Sequence, residues 1–230
     1  MEIRKNVLIF GATGNTGACA VAHALEAGDK VHVFVRNAKK LADEIKSQVH
    51  VIVGDLTDPK AVAKAVQQSS PDAILVCSGH PPRDAIAPMN EVAVKAIEKA
   101  LTESNRLKAC FVIYLSGLFT DPYYDPLPWS LKLMRAIVVP MFGYQASLRD
   151  NMAVTEYLTR GSGSNSGLQY TIIRMALPVK GNSRGSIVPV AGNPKGAVTF
   201  TDMGHFMVRL AHGEYRREAI GKAIKPSYAE

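Results

Sequence analysis

Three evenly spaced glycines follow an apolar run near the start of the chain, in the stretch NVLIFGATGNTG. Gly11 permits a tight turn off a strand, Gly14 leaves space for a pyrophosphate beside the backbone, and Gly17 lets the next helix pack close to the sheet. The N-terminus of that helix offers free N–H groups and a positive dipole end to phosphates. The spacing therefore predicts a dinucleotide site; the alternative is a glycine turn that binds nothing. The residues predicted to add side-chain donors to this site are Thr13, Asn15 and Thr16.

The second apolar run, KVHVFV, ends in a basic cluster that bears on which dinucleotide is bound. Sites for NAD place a carboxylate about 20 residues beyond the glycine motif, where it holds the ribose hydroxyls. Here the run ends in Arg36, followed by Asn37, Lys39 and Lys40, with no acid. A guanidinium pairs well with a phosphate dianion and stacks on adenine, so Arg36 and Lys40 favour NADP(H) over NAD(H). The alternative is that Arg36 is a surface residue at the end of a strand.

Polar residues also follow the third and fourth apolar runs, where a bound dinucleotide would continue along the sheet edge. In VIVGDLTD, Asp55 is predicted to accept from the adenine amino group, with Leu56 against the ring. The alternative, that Asp55 caps the next helix, is weaker because Asp58 precedes a proline and fits that role better. The residues of CSGHPP predicted to lie beside the central ribose are Ser78, Gly79 and His80. His80 stands alone, so no metal site is predicted.

Ser116 ends the fifth apolar run, in YLSG, and is the predicted catalytic residue. Doubly wound folds carry their reactive groups outside the carboxyl ends of strands; the alternative is that Ser116 only caps a strand. A common proton relay at this edge is a Tyr-x-x-x-Lys pair, in which the lysine lowers the pKa of the tyrosine. None of the eight tyrosines has a lysine four residues later, although Tyr170 has Arg174 there. The sequence therefore lacks that relay.

These residues need strands that all end at one edge of a sheet, and the rest of the sequence predicts such a sheet. Helical segments alternate with apolar runs of strand length: NVLIF, KVHVFV, VHVIVG, DAILVC, ACFVIYL and QYTIIR. Continuous apolar strands separated by helices indicate a parallel sheet covered on both faces, and right-handed crossovers make it doubly wound. We predict one α/β domain over residues 1–230, a Rossmann fold with a small C-terminal extension on the substrate side.

Residues 121–150 form an insertion that begins with three closely spaced prolines and continues in an apolar stretch, LPWSLKLMRAIVVPMF. We predict a short amphipathic helix that starts at Leu127. Its place after the fifth strand would set it over the nicotinamide as a wall of the acceptor pocket, with Trp129 or Met134 near the substrate. Large apolar side chains suit a flat acceptor, which gains affinity from stacking and burial. The alternatives are a satellite core or a dimer contact.

The composition is that of an ordinary globular protein, with 47% apolar and 20% charged residues and a net charge of +7. A basic balance suits nucleic acid, an anionic membrane or a phosphorylated ligand, but no dense block of lysine and arginine supports the first two. No apolar span approaches the ~20 residues of a membrane helix. Three cysteines without metal-ligand spacing indicate reduced thiols, so the cytoplasm is the expected location.

The motifs GATGNTG, VFVRN, VGDLTD, YLSG, GLQYTIIR and TDMGHFMVRLAHGEY together resemble the atypical short-chain dehydrogenase/reductases. Within them the chain is most similar to the biliverdin reductase B (flavin reductase) group, which borders the NmrA-like proteins. The resemblance covers nearly the whole chain. It implies NADPH at the glycine loop, hydride transfer to flavins or linear tetrapyrroles, and Ser116 as the active-site serine. The cofactor lining that it implies consists of residues 11–17, Arg36, Lys40, Asp55, Leu56, Gly79 and His80.

The reductase members of that family carry histidines near the positions of Asn151 and Leu177, so Asn151 is a predicted substrate-side residue. Our first hypothesis is an NADPH-dependent reductase of a flat conjugated small molecule, a flavin, quinone or tetrapyrrole, that takes its proton from solvent. The second is an NmrA-like redox sensor that binds NADP(H) without turnover and acts through a protein partner; the missing histidines favour it. Neither a nucleic-acid nor a membrane partner is expected. The natural acceptor and the oligomeric state stay open.

Overall fold

The computed structural model of the chain describes residues 4–79, 88–175, 178–191 and 196–229, which form an eight-stranded sheet with helices on both faces. The strands are β1 (Asn6–Phe10), β2 (Lys30–Val35), β3 (His50–Val53), β4 (Ala73–Val76), β5 (Phe111–Gly117), β6 (Gln169–Met175), β7 (Ile187–Val190) and β8 (Lys222–Tyr228). The helices are α1 (Asn15–Glu26), α2 (Asp43–Lys46), α3 (Pro59–Ser69), α4 (Met89–Glu103), α5 (Trp129–Phe142), α6 (Gln145–Thr159), α7 (Ser162–Asn165), α8 (Phe200–Ala211) and α9 (Arg216–Ala219), with a 3-10 turn at Ala38–Lys40.

The strand order is β3-β2-β1-β4-β5-β6-β8-β7, and every neighbouring pair is parallel except β7 with β8. The chain runs outward from β1 to β3 and then crosses back to β4, on the other side of β1. This reversal leaves a crevice outside the carboxyl ends of β1 and β4. The predicted fold class, a doubly wound parallel α/β sheet of Rossmann type, is confirmed.

The central strands are continuously apolar because both faces of the sheet are covered. On β1, Val7 and Ile9 point into the core beneath α1 and α8, whereas Leu8 and Phe10 point into the core beneath α3, α4 and α6. All four side chains are fully buried. Alternate side chains of β1 therefore fill the cores on opposite faces of the sheet.

Two helix starts show how local signals set the boundaries. The Asp58 side chain accepts from the backbone N–H of Lys60 at 2.9 Å and Pro59 is the first residue of α3, so the predicted cap is confirmed. Helix α8 begins at Phe200 because Thr199 caps it by accepting from the N–H of Asp202 at 3.0 Å. Among the described residues, no helix is long and apolar enough to cross a membrane.

A pair of histidines joins the two strands at one side of the sheet. His32 on β2 lies opposite His50 on β3, with the ring centroids 4.7 Å apart. His32 is buried, and its Nε2 has no hydrogen-bond partner among the described residues. Burial, followed by the charge of His50, lowers the pKa of His32 to about 4. The folded chain therefore keeps a neutral imidazole at pH values where the unfolded chain binds a proton.

Because His32 titrates near pH 6.5 when unfolded and near 4 when folded, stability is lost as the pH falls through this window. Between pH 7 and pH 5 we expect the wild-type chain to lose about 2 kcal/mol more of its unfolding free energy than His32→Gln does. Denaturant unfolding at both pH values measures the difference. The control is His50→Gln, which alters the exposed ring and should keep most of the pH dependence. Equal losses in wild type and His32→Gln would contradict this assignment.

Candidate cofactor and acceptor site

The glycine turn between β1 and α1 is built from backbone in close contact. Gly11 has a φ of 77°, and a Cβ there would lie 2.7 Å from the backbone nitrogen of Ser78. A Cβ on Gly17 would lie 2.1 Å from the carbonyl oxygen of Gly11. Only glycine therefore allows the turn to pass against the end of β4 and α1 to start directly above it. The turn at Gly11 and the close packing of α1 at Gly17 are those that the sequence predicted.

The first turn of α1 has the features of an anion site. Its N-cap residue is Gly14, whose lack of a side chain leaves the first N–H groups of α1 without a side-chain cap. Thr13, Gly14 and Asn15 are exposed above this turn, whereas Thr16 is buried. A phosphate group above Gly14 would meet backbone N–H groups and the positive end of the α1 dipole. The residues present therefore fit a dinucleotide pyrophosphate.

The carboxyl ends of β2 and β3 place Arg36 and Asp55 near each other. Arg36 and Lys40 are exposed, and Leu56 is buried. The carboxylate of Asp55 accepts from the N–H and the hydroxyl of Thr57, at 2.8 and 2.7 Å. These hydrogen bonds, and then the nearby charge of Arg36, lower the pKa of Asp55. The ends of β2 and β3 thus bring an oriented carboxylate and a guanidinium near each other.

The carboxyl end of β4 is tied to the start of α4. The Ser78 hydroxyl donates to Oδ1 of Asn90 at 2.5 Å, and Nδ2 of Asn90 donates back to the carbonyl of Ser78 at 3.3 Å. Gly79 is exposed beside this pair. His80 lies outside the described residues. The structure therefore brings Ser78 next to the glycine turn, because the backbone of Gly11 contacts it directly.

A buried hydrogen-bond network surrounds Ser116 at the carboxyl end of β5. Oδ1 of Asn151, on α6, accepts from the hydroxyl of Tyr114 at 2.6 Å and from that of Ser116 at 3.2 Å. Nδ2 of Asn151 donates to the carbonyl of Ser147 at 2.8 Å, which fixes the orientation of the amide. Thr120 lies 3.4 Å from the Ser116 hydroxyl. The structure therefore joins the predicted residues Ser116 and Asn151.

Tyr114 is a member of this network that the sequence prediction missed. Tyr114 precedes Ser116 by two residues and so points to the same face of the sheet. Burial raises the pKa of Tyr114 well above its ordinary value, with the carboxylate of Asp150 adding to the rise. Tyr114 is therefore a neutral donor near pH 7 and does not replace the missing tyrosine–lysine relay. The i, i+2 spacing on a strand was the signal that could have identified it.

Asp150 and Asn90 connect the two ends of the site, and no local pattern in the sequence indicates them. The carboxylate of Asp150, buried on α6, accepts from the N–H groups of Asn90 at 2.9 Å and Glu91 at 3.0 Å. Asp150 thus caps the N-terminus of α4 from a different helix. This contact holds Asn90 at the end of β4 and the neighbouring Asn151 at the end of β5.

Residues 129–142 form the helix that the sequence predicted, although it starts at Trp129 instead of Leu127. The side chains of Trp129 and Met134 are 78% and 41% exposed, and the buried network of Ser116 does not include them. Their contact with a substrate stays a prediction. Within the described parts of the chain, no group of three or more His, Cys, Asp or Glu side chains is arranged to hold a metal ion.

Comparison with known proteins assigns the chain to a family. Residues 11–214 match the family described as NAD(P)H-binding. The chain is 28% identical over 170 residues to the photosystem II assembly factor Ycf39 of Cyanophora paradoxa. The matched region covers 74% of this chain and 44% of that protein. The chain therefore spans less than half the length of this relative.

Two solved structures illustrate the likeness in fold. The chain superimposes on ChuY of Escherichia coli O157:H7, an anaerobilin reductase, with a TM-score of 0.70, 20% identity and 96% coverage of both chains. It also matches WbmH of Bordetella bronchiseptica, solved in complex with NAD+, with a TM-score of 0.62 and 18% identity, covering 92% of this chain and 73% of that one. At these identities the likeness establishes the fold alone.

The cap that Asp150 provides leads to a stability prediction. Asp150→Asn keeps the shape of the side chain but removes the charge from the N-terminus of α4, so we expect a loss of about 1–2 kcal/mol in unfolding free energy. The control, Glu91→Gln, removes a carboxylate in the first turn of α4 that pairs with Lys95. Its loss should lower the unfolding free energy by about 0.5 kcal/mol or less. Denaturant unfolding compares the two variants; equal effects would show that Asp150 does not act as the cap.

Proposed function

Because the chain belongs to the NAD(P)H-binding family, we propose that it is an NADPH-dependent reductase of a flat conjugated acceptor: a flavin, a quinone or a linear tetrapyrrole. The observation that carries the proposal is the buried network of Ser116, Asn151 and Tyr114 at the same edge of the sheet as the glycine turn. A cofactor site alone would not need oriented hydroxyl groups at the carboxyl end of β5.

The charges at the ends of β2 and β3 support NADPH as the cofactor. Arg36 and Lys40 are exposed where the ribose 2′-phosphate of NADPH would lie, and β2 ends without the carboxylate that favours NAD. Asp55, whose pKa is lowered in part by the charge of Arg36, is already held by Thr57 and would accept from the adenine amino group. A guanidinium with an exposed face can still bind a phosphate by two hydrogen bonds.

The residues of the network suggest how the chain handles an acceptor. The bound cofactor supplies a hydride. Asn151, fixed by Ser147, holds the hydroxyl of Ser116 at the strand end, where Ser116 would contact a polar atom of the acceptor. Serine and asparagine side chains release no proton near pH 7, so the proton would come from solvent. Conjugated acceptors tolerate this arrangement because the charge left by hydride addition is delocalised.

The likeness to an anaerobilin reductase favours a tetrapyrrole within this class of acceptors. The three cysteines Cys19, Cys77 and Cys110 are free, which supports a reducing compartment such as the cytoplasm.

The second candidate function is a sensor that binds NADP(H) without turnover. The observation in its favour is the amide of Asn151, at a position where the family resemblance implies a histidine in the reductase members.

Turnover separates the two candidates. We expect the chain to oxidise NADPH with at least one of flavin mononucleotide, a small quinone or biliverdin, followed at the NADPH absorption band. Ser116→Ala should lower kcat/KM by about tenfold, because one oriented hydrogen bond to the acceptor is lost. The control is Ser47→Ala, which changes an exposed serine directly after α2 and should leave turnover unchanged. NADPH binding with no oxidation of any acceptor would contradict the reductase and favour the sensor.

Arg36 tests the cofactor preference independently of turnover. Arg36→Ala removes a charge-assisted contact of roughly 1.5–3 kcal/mol, so NADPH affinity should fall about ten- to hundredfold. NADH affinity should stay nearly constant, because NADH has no 2′-phosphate. Lys39→Ala, which removes a neighbouring exposed cation, is the matched control. Isothermal titration calorimetry with both cofactors gives the comparison; a parallel loss for NADPH and NADH would assign Arg36 a structural role instead.

A further inference from the structure

Helix α5 carries a row of large apolar side chains that nothing in the described structure covers. Trp129, Leu133, Ile137 and Met141 recur every four residues and so lie above one another on one side of the helix. They are 78%, 55%, 58% and 61% exposed, respectively. Together with Met134 they make up what we call the outward face of α5. Phe142 and Tyr144 continue the exposed apolar surface at its C-terminal end.

The opposite side of α5 is anchored to the domain. Val139 is buried, and the guanidinium of Arg135 donates to the carbonyl of Phe119 at 3.2 Å. Arg135 and Lys132 are the only charged residues in the sequence of α5, and both lie within 4 Å of the carboxylate of Asp121, at 3.8 and 3.7 Å. The charges of α5 are therefore drawn towards the loop after β5, and the outward face is left uncharged.

The area of this surface is too large for an ordinary exposed patch. With about 150–250 Å² for each large side chain, the five residues of the outward face expose an area on the order of 450–700 Å², and Phe142 and Tyr144 beside it bring the total to roughly 600–900 Å². Monomeric proteins rarely expose a contiguous apolar patch above a few hundred Å². A stable protein–protein interface buries about 800 Å² on each partner. The surface thus has the size that one side of a dimer needs.

We propose that the outward face of α5 is the contact surface of a twofold-symmetric homodimer. In such an interface the same patch is used on both copies, so it has to be compatible with itself. An uncharged apolar row satisfies this requirement, because two copies can meet there without bringing like charges together, despite the net charge of +7. Trp129 and the methionines supply the side chains that are enriched at the centre of interfaces.

A lipid bilayer is the competing occupant, and the charges of α5 argue against it. Helices that lie on anionic membranes combine an apolar side with lysine and arginine free to reach the headgroups. The two cations of α5 are instead shared with Asp121, on the anchored side of the helix. A second copy of the chain needs no such cations.

The test compares two substitutions that place the same charge on an exposed apolar residue. Ile137→Asp lies within the outward face, whereas Val53→Asp changes a 62% exposed residue on β3. Sedimentation velocity over the micromolar range should show a dimer for the wild type and for Val53→Asp. Ile137→Asp should weaken dimerisation by roughly thirtyfold or more, as expected for a central interface residue. Retained NADPH binding and thermal melting of both variants confirm that they fold.

Three outcomes would overturn the proposal. A wild-type chain that stays monomeric has no such interface. A dimer that persists in Ile137→Asp uses a different surface. A monomeric wild type that floats with vesicles containing phosphatidylserine, when Ile137→Asp does not, would assign the outward face to a membrane. Because the experiment does not depend on turnover, its result is independent of whether the chain is a reductase or a sensor.

Discussion

The site depends on the contact between Gly11 and the end of β4. At this point the chain order of the sheet reverses, so the turn after β1 meets the strand end of β4 instead of that of β2. A side chain on Gly11 or Gly17 would separate the turn from Ser78 or lift α1 off the sheet. The crevice between β1 and β4 exists only because backbone can approach backbone here. The cofactor edge and the network of Ser116 share one surface as a consequence.

One buried carboxylate links several segments of the C-terminal part of the chain. Asp202 on α8 accepts from the hydroxyls of Ser183 and Thr199, from the hydroxyl of Tyr228 and from the N–H of Arg184. Burial alone would raise its pKa, but these hydrogen bonds outweigh burial and lower it. Three separate segments of the chain therefore meet at one charge, and the end of β8, which pairs with β6 and β7, is tied to α8 there.

Signals within a few residues of each other predicted the parts of the fold that they control. The glycine turn, the Asp58 cap and the alternation of apolar strands with helices were sufficient for the doubly wound sheet. Strand β8 was missed since KAIKPSY contains a proline and two lysines, and its pairing with β6 is set by tertiary contact.

The same distinction runs through the site. The glycine turn after β1 is formed largely by backbone. The residue types that matter there and at the end of β2, glycines and an arginine, can be recognised in the sequence. The network of Ser116 is formed by side chains from β5 and α6 that meet only when the chain has folded, such as Tyr114 with Asn151. Every residue except proline has a backbone N–H group, whereas a change of one side chain alters what Ser116 faces. The glycine turn can therefore be predicted from the sequence, whereas the network of Ser116 depends on a few buried side chains that meet only in the folded chain.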